Sequence, residues 1–422
     1  MMLVFDIGKT NKKCFVFDEA YRIIFEKTSV LPETEDEDGF PCDDLDALTG
    51  WVRQSLQTVL SDRRFAIRAV NCTAYGASFV YLDAGGNPLT PLYNYLKPYP
   101  DALKQKFFRK YGGAKRMALE TASPDLGSLN SGLQLYRLKK MRPGVFSRIR
   151  YALHLPQYIA WLLHGVALSE LTSIGCHTML WDFRANAYHR WVDAEGIDKK
   201  FPPLAPSTTV LPTPWPGSGG GPLFAGTGLH DSSAALIPYL AHFPGPFVLL
   251  STGTWCISLH PFSADEPILR PEELARDCLC YLSFEGKAVK AARYFGGHEH
   301  EQAVTALAAE YGVPAAFFQS PGNAPPGLRG LYSAFLRGLV EKQAVSTRLA
   351  IGRTPAPRLY VDGGFSKNEG FMTLLAAAFP EMEVFAAEVA QATALGAALA
   401  IHRHWNEKPV PEHLITVKQY RL

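Results

Sequence analysis

The chain is 422 residues long, 47% hydrophobic and 19% charged. At about 150 residues per domain the length suggests two or three domains, and the composition excludes a disordered or collagen-like chain. Its 42 Lys and Arg against 40 Asp and Glu leave +2, so there is no net drive toward nucleic acid or an anionic membrane. Any polyanion it binds is expected to be small and held by a local site.

The first apolar run ends at Asp6, too soon for a signal-peptide core, and no stretch approaches the roughly 18 apolar residues of a membrane span. A cytoplasmic chain is expected. Met2–Asp18 (MLVFDIGKTNKKCFVFD) reads as a hairpin with a Gly-centred turn between nearly unbroken apolar strands. The acidic run Glu33–Asp38 reads as a solvated loop. Leu45, Leu48, Val52, Leu56, Val59 and Leu60 share one face of a helix, and Ala66–Asp83 reads as strand, turn, strand. Helices follow over Leu129–Lys140 and Pro156–His164, then a Pro/Gly/Ser/Thr-rich connection, Phe201–Pro222. Trp181, Trp191 and Trp215 are candidates for buried core or for a homodimer contact.

A helix is expected from about Ser232 to Leu240. Pro244, Gly245 and Pro246 then break the chain, and the domain boundary is placed there, giving 1–244 and 245–422. The second half opens on Phe247–Phe262 (FVLLSTGTWCISLHPF), an echo of the first hairpin. Helices near Glu301–Glu310 and Gly330–Lys342, a strand Arg358–Val361, and helices Lys367–Phe379 and Val389–Trp405 complete two α/β domains. The Pro/Gly-rich stretch Gln319–Leu328 reads as a loop. Seven scattered cysteines without CxxC argue against a disulfide framework or a zinc ribbon. His298 and His300 lack the i, i+4 spacing of a helical metal pair.

Three loops carry phosphate-binding chemistry. In the first, Gly8 permits a tight turn among Lys9, Thr10, Asn11, Lys12 and Lys13. Its amides suit an anion nest, and Asp6 at the strand end suits a water-held Mg²⁺. GKT here is no P-loop, because Leu3 stands where its first Gly belongs. The second is Ser251-Thr252-Gly253-Thr254, with hydroxyls flanking a Gly. The third, Asp362-Gly363-Gly364-Phe365-Ser366, joins a strand to a helix with Ser366 as a candidate N-cap, and it lacks GxGxxG. Each alone equally describes an ordinary turn. Finally, Gly226-Thr227-Gly228-Leu229-His230-Asp231 places an acid at the start of an Ala-rich helix. That acid is either a plain N-cap or a general base for a hydroxyl nucleophile, with His230 as a hydroxyl partner or a core histidine.

Together these segments resemble the FGGY carbohydrate kinases. DIGKTNKK is similar to that family's first phosphate loop, LHDSSAA to its catalytic-Asp motif, STGTW to its second phosphate loop, VDGGFSKNEGF to its adenosine motif and TALGAALA to its closing helix. The resemblance runs from Met2 to about His402. It implies two ribonuclease-H-like domains of the actin/hexokinase/sugar-kinase superfamily with a cleft between them, using ATP and Mg²⁺. It also implies Asp231 as base, Asp6 and Asp231 near the metal, and nucleotide contacts from Asp6, Gly8, Lys9, Thr10, Asn11, Lys12, Lys13, Thr252, Gly253, Thr254, Gly363 and Gly364. Tyr75-Gly76-Ala77-Ser78 and the His230–Asp231 pair resemble the rhamnulokinase/fuculokinase branch. There Tyr75, Gly76, His230, Asp231 and Ser232 lie by an L-ketohexose, and Gln302 falls at an ATP-contacting Gln. Tyr95-Leu96-Lys97-Pro98-Tyr99 replaces a Trp-Asp-x-Arg-like segment, and Ser78 replaces an acid, so the sugar site is rebuilt. The expected activity is phosphoryl transfer to a small sugar. The alternatives are a non-catalytic sugar or nucleotide sensor, and a related acyl or polyphosphate phosphotransferase.

Overall fold

A computed structural model describes residues 1–217, 220–315, 318 and 326–421. The chain divides into two compact units. The first holds Met1–His242 with Tyr281–Lys287 and Gln391–Leu414; the second holds Phe243–Cys280, Ala288–Ala390 and Ile415–Leu422. Chain order alone does not show the two segments that rejoin the first unit.

In the first unit, strand Met2–Ile7 lies at the centre of its sheet. It runs antiparallel to Lys12–Phe17, which pairs with Ile23–Ser29. On its other side it runs parallel to Ala69–Ala74, followed by Phe224–Gly226. Leu3, Phe5 and Ile7 are fully buried with Leu48, Val52 and Leu56 of helix Leu45–Ser61. That helix is capped by Asp44, whose carboxylate accepts from the Ala47 amide. Helix Leu155–His164 joins the same core. Helix Ala392–Ala400 packs against both central strands and against helix Asp231–His242. The two helices approach so closely that a methyl group at Gly396 would overlap the Ala234 carbonyl. A second core is aromatic: Phe107 meets Trp191 edge-on at 5.1 Å.

The second unit repeats the plan. Val248–Thr252 runs antiparallel to Cys256–His260, which pairs with Ala288–Tyr294. On its other side it runs parallel to Arg358–Gly363, followed by Glu383–Glu388. A shared core of three antiparallel and two parallel strands, within a seven-stranded sheet in each unit, thus underlies the echo between the two hairpins.

Several local expectations change. Ala69–Ala74 and Phe79–Leu82 are strands but not partners, because Phe79–Leu82 pairs with Tyr151–His154. The acidic run is not simply solvated. Glu33–Glu35 is a strand paired with Pro41–Asp43, and buried Asp36 takes the Lys97 ammonium at 2.5 Å. Asn368, not Ser366, caps helix Glu369–Ala378, accepting from the Phe371 amide at 2.9 Å. Ser366 instead donates to the Gly363 carbonyl. Val210–Pro212, within the expected connection, adds a strand beside Phe224–Gly226. The last apolar helix is helical only over Ala392–Ala400. Trp181 and Trp191 are buried, and Trp215 is half-buried. The expected loop around Gln319 lies mostly outside the described residues. Among the described residues no helix is long and apolar enough to cross a membrane, and all seven cysteines are free and buried.

Candidate active site

Two glycines shape the approach to Asp231 in the first unit. A side chain on Gly226 would meet Asn71 Oδ1 at 2.5 Å, and one on Gly228 (φ +74°) would meet the Pro156 carbonyl at 2.5 Å. Buried Asn71 accepts from the Gly228 amide at 3.1 Å and donates to the Ala397 carbonyl at 2.8 Å. One amide side chain therefore ties the acid's turn to the closing helix. The chain then enters helix Asp231–His242 with Asp231 as its first residue.

Asp231 Oδ1 accepts from the Ser232 amide at 2.6 Å and lies 3.2 Å from His230 Nε2. About a third of its side chain faces solvent, yet surrounding protein atoms desolvate the carboxyl and hold its pKa up at about 6. His230 is buried, and that burial lowers its pKa to about 4, so the ring is neutral at pH 7. Its Nδ1 lies 3.3 Å from Ser233 Oγ, which also lies 3.2 Å from the Leu282 carbonyl, while its Nε2 is turned toward Asp231. A side chain at Gly76 would meet His230 Nε2 at 2.9 Å and Cys176 Sγ at 3.0 Å. The structure thus brings Gly76, His230, Asp231 and Ser232 together.

Asp6 is the other acid. Thr393 Oγ1 donates to its Oδ2 at 2.8 Å. Burial first, and then the charge of Asp231, raise its pKa to about 6, against the Thr393 hydrogen bond. Two hard carboxylates, each disfavoured as an anion, form a donor set that suits an oxygen-preferring divalent cation.

The turn between Ile7 and Lys12 closes on itself, with the Gly8 amide donating to the Asn11 carbonyl at 2.9 Å. Thr10 and Asn11 are exposed at its tip. Its three lysines differ. Buried Lys12 holds Asp43 at 2.8 Å, and Lys9 holds the same carboxylate at 2.5 Å. Tyr75 donates to Asp43 at 2.8 Å and meets Tyr95 edge-on. Lys13 has no carboxylate at ion-pair distance among the described residues, and it lies 3.5 Å from Gln391 Oε1. Tyr75, Lys9 and Lys12 therefore converge on an acid that the motifs did not include. In the rebuilt segment, Lys97 lies on Asp36 and Asp38 and lines a 300 Å³ cavity with Asn94, Gln134 and Arg137. Gln134 donates to the Ala77 carbonyl at 2.6 Å, one residue from Gly76.

The second unit holds a separate cavity of about 680 Å³, lined by Thr252, Gly253, Thr254, Gly297, His300, Glu301, Gly364, Phe365 and Asn368. Thr252 is buried; its hydroxyl donates to the Asp362 carbonyl and accepts from the Phe365 amide at 3.0 Å, so it stitches the second loop to the third. Thr254 is exposed. A methyl at Gly297 would overlap the Gly253 carbonyl oxygen, and one at Gly363 (φ +82°) would overlap that of Thr252. Gln302 is exposed on helix Gly296–Tyr311 and does not line the cavity. One helical step of about 100° turns it away from His300 and Glu301, which do. His300 Nε2 lies 2.9 Å from the Tyr332 hydroxyl, which also accepts from Asn368.

Residues 1–215 match the FGGY family of carbohydrate kinases, N-terminal domain, and residues 244–317 match the carbohydrate kinase FGGY C-terminal domain. The chain belongs to the FGGY family of carbohydrate kinases. FGGY kinases are phosphotransferases. A rhamnulokinase from Halalkalibacterium halodurans is 28% identical over 184 residues, 42% of this chain and 37% of the relative, so the chain spans well under half of that protein's length. A carbohydrate kinase from Novosphingobium aromaticivorans superposes with a TM-score of 0.81 at 24% identity, over 99% of this chain and 96% of that one. A ligand-bound xylulose kinase from Lactobacillus acidophilus superposes with a TM-score of 0.78 at 16% identity, over 100% and 94%. These likenesses support the actin/hexokinase-like fold of both sheet domains.

Proposed function

We propose that this FGGY kinase transfers the γ-phosphoryl group of ATP to a hydroxyl of a small ketose, such as L-rhamnulose or L-fuculose, with Asp231 as general base. The observation that carries the reading is the grouping of Asp231, neutral His230 and Gly76 in one unit, with the charge of Asp231 felt at Asp6. The partial likeness to a rhamnulokinase supports the ketose.

His230 Nε2 accepts a hydrogen bond from one sugar hydroxyl and so orients the ring or chain. Asp231 accepts the proton of the attacking hydroxyl as the new O–P bond forms and the bond to the ADP oxygen breaks. Asp6 and Asp231 would hold a divalent cation such as Mg²⁺, which would offset the charge of the phosphates. Lys13 adds its ammonium to the same task. The second unit's cavity takes the adenosine end of ATP, with Thr254 and Gly364 at the phosphates.

Coupled ATP-to-ADP turnover with Mg²⁺ tests this against L-rhamnulose, L-fuculose, L- and D-xylulose, L- and D-ribulose, D-fructose, glycerol and erythritol. A clear preference for one ketose supports the reading. ATP binding without turnover on any of them overturns it in favour of a sensor. Turnover of acetate or polyphosphate alone overturns it in favour of another phosphotransferase.

A further inference from the structure

We propose that Cys176, His177 and His230 form a binding site for a borderline-soft divalent cation, with Zn²⁺ as its probe. All three residues are buried, and one ligand atom of each lies within 4.8 Å of the other two. Thiolate and imidazole are the ligand set that zinc prefers and Mg²⁺ avoids, so this site is chemically distinct from the Asp6–Asp231 pair.

Four features of the surroundings fit a metal. First, His177 Nδ1 lies 3.1 Å from the Leu129 carbonyl, which can only accept, so Nδ1 carries the proton and Nε2 the lone pair. Second, the Ser233 hydroxyl lies 3.3 Å from His230 Nδ1 and holds that edge of the ring, so His230 Nε2 is the nitrogen turned toward Cys176 and, at 3.2 Å, Asp231. Third, Gly76 presents only its bare Cα to Cys176 Sγ and His230 Nε2, where any side chain would crowd both. Fourth, His177 is held at φ +30°, a conformation that costs a non-glycine residue energy and that clusters at functional sites. The Cys176 thiol now donates to the Ser173 carbonyl at 3.2 Å. On metal binding its proton leaves to solvent and the thiolate becomes the ligand. Three protein ligands leave a fourth position for water.

Because His230 is shared, zinc and sugar compete. This clause rests on the proposed function; the metal site itself does not. The test uses the full chain without substrate. Equilibrium dialysis with Zn²⁺ is expected to show one ion per chain, and Co²⁺ in its place a thiolate-to-cobalt charge-transfer band. Cys176→Ser removes the band, and Cys176→Ser or His177→Gln each weaken Zn²⁺ binding about 10–100-fold. Cys14→Ser, in the buried strand Lys12–Phe17, keeps both signals. Absence of the thiolate band in folded wild-type protein overturns the site, as does equal zinc uptake by the Cys176→Ser/His177→Gln double variant. Zinc binding that a turned-over ketose does not weaken overturns the competition alone.

Discussion

The turn at Gly8 and the turn at Gly253 stand at the same topological position, each between the central strand of a sheet and its antiparallel neighbour. They are built by different forces. The first is organised by charge: Lys9 and Lys12 share Asp43 with the Tyr75 hydroxyl, and only Lys13 keeps its ammonium clear of carboxylates among the described residues. The second carries no charge and is organised by steric fit, with Gly297 and Gly363 allowing backbone to touch backbone. On the proposed function, one topology would offer two ways to meet a phosphate: a lysine supported by a neutralised neighbourhood, and bare amides and hydroxyls brought close.

Substitutions at each turn should fail in different ways. The largest effect is expected at Gly297→Val, where the side chain collides with the Gly253 carbonyl. Overpacking costs about 1–3 kcal/mol or more, and ATP binding measured by calorimetry is expected to vanish with it. Lys12→Met is expected to cost up to about 3 kcal/mol in denaturant unfolding, since it strips one cation from buried Asp43 while Lys9 and Tyr75 remain. Lys13→Ala should instead leave stability unchanged and raise the ATP KM about tenfold, the worth of one charge-assisted contact. If Lys12→Met and Lys13→Ala changed KM alike, the division between supporting and phosphate-facing lysines would be wrong.

A pH profile separates activity from stability at the two acids. Asp6 and Asp231 have folded-state pKa values of about 6, raised from 3.8. The base works only when ionised, so kcat/KM of the free enzyme is expected to fall about tenfold per pH unit below pH 6. Between about pH 4 and 6 the folded chain holds protons that the unfolded chain has released, so these two groups add stability as pH falls. Asp231→Asn should therefore unfold at higher temperature than wild type at pH 7.5, with the gain shrinking toward pH 5.

The turns themselves were legible, because Gly among polar residues between two apolar runs reverses the chain. The duplicated sheet was legible for the same reason, as an echo of one hairpin in the other. Asp43 was not, because its partner Lys12 lies 31 residues away and only the paired strands Glu33–Glu35 and Pro41–Asp43 bring it close. Asn71 and Thr393 were hidden likewise: each acts across more than 150 residues, and nothing local distinguishes a buried Asn or Thr that does so. Cys176 and His177 gave no spacing signal, since their third member is His230. Gln302 shows the limit of spacing on a helix, where a shift of one or two residues decides which side chain faces a cavity.

The most direct measurement is turnover and ATP affinity of Asp231→Asn with the preferred ketose. The account predicts a loss of about 10²–10⁴ in kcat with a far smaller change in the ATP dissociation constant, because Asp6 still holds the cation. Near-normal turnover in that variant would contradict it.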